Sequence, residues 1–122
     1  MGECLRNDKA LRMTTTEVIT AARRILADTG TPYEWSNDSL LQYVNDGVRE
    51  SVRRRPDLLL STDHTLATVA DKNLGEAVAL GYYWRQALAF FVASRALQED
   101  SADKVNLDRA KQYYGNYLRS LS

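Results

Sequence analysis

With one cysteine, Cys4, and one histidine, His64, the chain lacks the side chains on which most thiol and metal chemistry depends. A lone cysteine cannot close an intrachain disulfide, and a cysteine zinc site has no ligand set. Cys4 is expected as a free thiol on a mobile arm. His64 stands beside Asp63 and near Asp57, but sequence neighbours in a loop do not converge as helix-spaced ligands do, and no second histidine can share a metal. A solvent-facing loop histidine is expected. There is no GxSxG elbow, glycine-rich phosphate loop or HExxH pattern, and the carboxylates scatter along polar helix faces. No catalytic, cofactor-binding or metal-ligating residues are assigned, and no enzyme activity is expected.

Charge of one sign is also missing, because 16 Lys and Arg balance 16 Asp and Glu. A protein that coats nucleic acid is basic, so any DNA contact here must be local. No run approaches the roughly 18 apolar residues of a membrane span, and the opening MGECLRNDKALR has no apolar centre of the secretory kind. No membrane association is expected, and synthesis in a cytosol-like compartment is.

What is present is helical pattern. The 122 residues, 44% of them hydrophobic, suffice for one core and one domain. Residues 1–13 show no periodic face and are expected to be a flexible arm, leaving 14–122 as a single helical domain. Thr14 followed by Glu17 is a capping-box signature, so a first helix starts near Thr15, buries Val18, Ile19, Ala22, Ile25 and Leu26, and stops at Gly30. Pro32 excludes helix from the connector, in which Tyr33 and Trp35 are available to plug the bundle end. Ser36 caps a second helix carrying Leu40, Leu41, Val44, Val48 and Val52, ended by Pro56. Gly47 inside that pattern costs on the order of 1 kcal/mol relative to alanine, which a close helix crossing explains.

Residues 57–74 lose the helical period and read as an extended segment or poor hairpin. From Glu76 to Glu99 the pattern reads as one uninterrupted central helix, with Leu80, Trp84, Leu88, Phe91 and Val92 at three- and four-residue steps. A last helix is expected from about Ala102 to Leu121. The fold class is therefore all-α, a four-helix bundle-like domain with a short extended or hairpin-like insertion between helices 2 and 3.

Two features have more than one reading. Arg49, Arg53, Arg54 and Arg55 concentrate charge at the end of the second helix, either complementing its dipole or forming a docking patch for an acidic partner or phosphate backbone. Arg23 and Arg24 extend that patch if the two helices lie side by side. Tyr82, Tyr83, Phe90, Phe91, Tyr113 and Tyr114 come as adjacent pairs, so one member of each points away from a one-sided core. Central burial accounts for them, or a subunit interface made by the outer members. Arg49, Arg53, Arg54, Arg55, Tyr82, Phe90 and Tyr113 are the interface candidates.

Three stretches together resemble the head-tail connector (adaptor, or head-completion) proteins of tailed bacteriophages. The first is ARRILADTG followed by Trp35-Ser36, Leu40-Leu41, Tyr43 and Asn45-Asp46, leading into VRESVRRRPD. The second is the run from Tyr83 to Leu88 on a helix ending in ASRAL, and the third is DKVNLDRAKQYYGNYL. All three are packing patterns, and they span most of residues 14–121. The resemblance implies a virion protein at the head-tail interface, made in the bacterial host. It implies a homo-oligomeric ring, commonly of twelve copies, under the portal protein. Such a ring extends the channel through which double-stranded DNA passes without sequence-specific binding, and docks a downstream tail, stopper or nozzle protein. The chain departs from longer relatives at residues 57–74, where they resemble a fuller β-hairpin insertion. The competing class is a helical DNA-binding or regulatory module with the Ser36–Arg55 helix as reader, which the neutral net charge disfavours.

Overall fold

Strand β1, Arg12–Thr14, turns directly into helix α1, Thr15–Leu26. The computed structural model describes residues 12–28, 34–59, 71–99 and 104–122. Cys4, Gly30, Pro32, Tyr33, His64 and most of the expected insertion lie outside them. Helix α2 is Asn37–Arg54, followed by a 3-10 turn at Pro56–Leu59. Strand β2, Ala77–Gly81, leads through a 3-10 turn at Tyr82–Trp84 into α3, Arg85–Glu99, and α4 is Lys104–Leu121. The described chain is an all-α domain of four helices with one small two-stranded ribbon.

Local chemistry sets most boundaries. Thr14 Oγ1 accepts from the Glu17 N–H at 3.2 Å while Glu17 Oε1 accepts from the Thr14 N–H at 2.9 Å, so the capping box forms as the spacing predicts. Ser36 Oγ accepts from the Ser39 N–H at 3.1 Å and starts α2. Helix α1 stops earlier than Gly30, however, at Ala27, whose φ of 58° is left-handed. An alanine there costs about 1 kcal/mol. The turn is held by the Asp28 N–H donating back to the Arg23 carbonyl at 2.9 Å and by the Asp28 side chain, which binds partners on both sides of the connector.

The expected uninterrupted helix from Glu76 to Glu99 is not found. Its first third is β2 and a 3-10 turn, and α-helix begins at Arg85. Val78 and Leu80 are both buried, a two-residue period that puts them on one face of a strand. β2 pairs antiparallel with β1, Arg12 opposite Gly81 and Thr14 opposite Ala77, with an irregularity between. The strand pairing therefore runs to the chain before α1, and Met13, assigned by composition to the arm, is fully buried. Gly75, at φ 87°, makes the turn into β2.

Helix α3 occupies the centre. Leu88, Phe91, Val92 and Leu97 are buried together with Ala87, Ala89, Ala93 and Ala96, so the helix is enclosed by α1, α2 and α4 rather than along one stripe. Burying each large side chain contributes about 1.5–3 kcal/mol. Small residues let the neighbours approach: a Cβ on Gly47 of α2 would sit 2.9 Å from Phe91 Cδ1 and 3.2 Å from Leu88 Cδ2. The close crossing expected from the sequence is present. Against α4, Ser94 Oγ donates to the Ala110 carbonyl at 2.8 Å, and the Phe91 and Tyr117 rings meet edge-on at 5.1 Å.

Candidate functional site

The four arginines singled out by the sequence do not form one patch. Arg49 binds Asp46 at 2.6 Å and also Asp71, on the chain returning toward β2. A turn further on, Arg53 reaches Glu50 at 3.5 Å while 75% of its side chain stays exposed. Arg54 bonds Glu50 Oε2 at 3.3 Å and donates to the Tyr114 hydroxyl on α4 at 2.8 Å. That hydroxyl in turn donates to Glu50 Oε2 at 2.6 Å, and burial with this bond raises the Tyr114 pKa. Arg55 forks onto Asp57 at 2.7 and 3.3 Å, donates to the Leu121 carbonyl at 2.6 Å, and lies over the Trp84 ring at 5.2 Å. The hydrogen bond from Arg55 lowers the Asp57 pKa. Arg54 and Arg55 thus fasten the end of α2 to α4 and to the 3-10 turn that leads into α3, beyond any role in offsetting the helix dipole.

Arg23 does not extend this cluster. It is buried at the opposite end of α2, where Nη1 meets Asp28 Oδ2 at 2.6 Å and Nη2 donates to Asn37 Oδ1 at 2.7 Å. Asp28 also accepts from the Glu34 N–H at 2.8 Å and the Trp35 N–H at 3.3 Å. The pair clasps the end of α1 to the start of α2. No helical spacing announces it, because the two charges stand five residues apart and meet only where the left-handed Ala27 turns the chain at the end of α1.

The aromatic pairs separate by geometry. Tyr83 is 83% exposed, whereas Tyr82 is half-buried beneath the Arg85 guanidinium, 4.6 Å from its ring. The sequence reading named Tyr82, but the pair lies on a 3-10 turn, so α-helical spacing misassigns the outward member. Phe90 and Tyr113 are half-buried and stack on each other at 6.0 Å across the α3–α4 seam. Their partners Phe91 and Tyr114 turn inward, Phe91 completely.

The residues of the resemblance are joints of the fold. Trp35 Nε1 donates to the Ala96 carbonyl at 3.2 Å, tying the connector to the end of α3. Asn45 bonds both backbone groups of Lys72, and Asp46 holds Arg49 together with Arg95 at 3.7 Å. A groove of about 360 Å³ runs along α1, lined by residues including Thr16, Thr20, Arg24 and Leu74. Among the described residues no cluster of three or more His, Cys, Asp or Glu side chains could hold a metal ion, and no helix is long and apolar enough to cross a membrane. Comparison with family models, curated proteins and solved structures finds no match to this chain.

Proposed function

We propose that the chain is a structural head-tail connector subunit of a tailed bacteriophage, acting by binding alone. It assembles as a homo-oligomeric ring under the portal protein, surrounds the DNA channel and presents a surface to the next tail component. The resemblance over residues 14–121 motivates this reading, and one observation carries it further. Tyr83, first residue of the Tyr83–Leu88 run, is 83% exposed next to Trp84, ring to ring at 5.0 Å. An aromatic left uncovered by its own domain is surface suited to a protein partner.

The DNA-reader alternative is less well supported. Helix α2 buries Leu40, Val44, Val48 and Val52, and its terminal arginines already hold carboxylates of the same chain. Gripping phosphates would require breaking those pairs. Imaging of the particle with a label on this chain tests the proposal: density in a ring directly below the portal vertex is expected. Label found elsewhere in the particle, or absent from it, would contradict the assignment.

A further inference from the structure

Between Asp71 and Glu76 the chain crosses the surface of the helices without burying a side chain of its own. Lys72 is half-buried and the other residues of the segment are exposed, Leu74 among them at 49%. Polar bonds to three side chains of α1 and α2 hold it. Asn45 bonds both backbone groups of Lys72, Arg49 pairs with Asp71, and the Thr15 hydroxyl bonds the Asn73 carbonyl and the Gly75 N–H. The Glu76 carbonyl also accepts from the Thr15 N–H at 3.0 Å. Beyond it the attachment changes in kind, because Val78 and Leu80 belong to the core.

Internal bonds make the segment one piece. The Glu76 N–H donates to the Asn73 carbonyl at 3.0 Å, and the Asn73 N–H donates to Glu76 Oε1, closing a turn around Leu74 and Gly75. A Cβ added to Gly75 would meet nothing within 4 Å among the described residues, so the turn stands clear of the helices there. Lifting the segment exchanges bonds between protein groups for bonds to water, which nearly offset them. The partners it leaves, the Thr15 hydroxyl and the Asn45 amide, are polar groups that water solvates. Unfolding α3, by contrast, strips Leu88, Phe91, Val92 and Leu97 from the core. Opening here is therefore cheap beside global unfolding and exposes little apolar surface.

We infer that residues 71–76 are a releasable strap, which swings away as one unit about Ala77 while the four helices and the β1–β2 ribbon stay folded. Ala77, opposite Thr14, is the first ribbon pair reached from the strap. Release carries off Leu74, which lines the groove along α1 with Thr16, Thr20 and Arg24. The open form thus has a wider groove, with the otherwise buried Thr15 hydroxyl and Asn45 amide facing solvent. Nothing in this device requires the connector reading.

Amide hydrogen exchange of the full chain, followed by NMR at increasing urea, tests the strap. The N–H groups of Lys72, Gly75 and Thr15 all lose their acceptors on release. The three should share one opening equilibrium, at least about tenfold more open than that of Val92 in the enclosed α3. Their exchange should stay flat below about 1 M urea, while that of Val92 rises with denaturant. Asn45→Ala removes two strap bonds and should speed all three by about tenfold, including Gly75 and Thr15, which it does not touch. Asp71→Asn, at the exposed ion pair, leaves the Asn45 and Thr15 bonds in place and should speed the same three by about twofold. Strap amides that follow urea as Val92 does would exchange only through global unfolding, which overturns the inference. A speeding confined to Lys72 would overturn it equally, since the residues would then fray singly.

Discussion

Asn45 grips Lys72 by both of its backbone groups: Nδ2 donates to the Lys72 carbonyl at 3.1 Å, and Oδ1 accepts from the Lys72 N–H at 2.9 Å. A side-chain amide here imitates a strand neighbour for a chain that has not yet reached β2. Thr15 continues the attachment, its Oγ1 donating to the Asn73 carbonyl at 3.1 Å and accepting from the Gly75 N–H at 2.8 Å. Asn45→Ala should lower the unfolding free energy by about 2 kcal/mol, because two backbone groups lose their partner. Urea denaturation measures it, and a midpoint within experimental scatter of the wild type would assign the grip no energetic weight.

Gly47 is the contact point of α2 and α3. Gly47→Ala forces the Phe91 ring to move and should destabilise by about 1–3 kcal/mol, despite the better helix propensity of alanine. Combined with Phe91→Leu, the two costs should add to less than their sum, since the smaller side chain makes room for the methyl group. Strict additivity in thermal or urea unfolding would show that the clash is relieved elsewhere.

Arg23 and Asp28 are both buried and bonded to each other, so removing one takes a charged partner from the other. Asp28→Ala should cost about 3–5 kcal/mol, and replacing both by apolar residues of similar size, Arg23→Met with Asp28→Leu, should cost less than that single change. The double variant should still loosen the connector, because the Glu34 and Trp35 N–H groups lose their acceptor. Amide hydrogen exchange at those two positions reports it, and unchanged protection would argue against the clasp.

Features specified by a few adjacent residues were legible without coordinates. The Thr14–Glu17 capping box, the Ser36 cap, the buried stripes of α1 and α2 and the tight crossing at Gly47 all follow from local spacing. What escaped was decided across the chain. Ala77 to Leu80 suits a helix as well as a strand, and only pairing with Arg12–Thr14, more than sixty residues earlier, selects the strand. The stop of α1 at Ala27 likewise depends on where the Asp28 carboxylate finds its partners. Arginines that read as one patch diverge because each meets a different carboxylate or carbonyl, on elements whose approach no local period encodes.

Tyr117 predicts an alkaline limit to stability. Burial pushes its hydroxyl up to about 12, even though the 2.9 Å bond to Ser51 Oγ acts in the other direction. In the unfolded chain the group ionises at its ordinary value near 10, so between about 10 and 12 the unfolded state loses a proton that the folded state keeps. Stability from this group is complete below pH 10 and is lost through that window, on the order of 2 kcal/mol in all. Tyr117→Phe removes this portion of the pH dependence at the expense of the Ser51 bond. A variant whose alkaline unfolding profile parallels that of the wild type would place the responsible group elsewhere.

The connector reading is tested most directly by mass measurement of the full chain mixed with purified portal rings. The account predicts a discrete complex in which many copies of the chain add to one portal ring, with Tyr83 protected on assembly. A chain that stays monomeric and leaves the mass of the portal ring unchanged at every concentration and salt would contradict it.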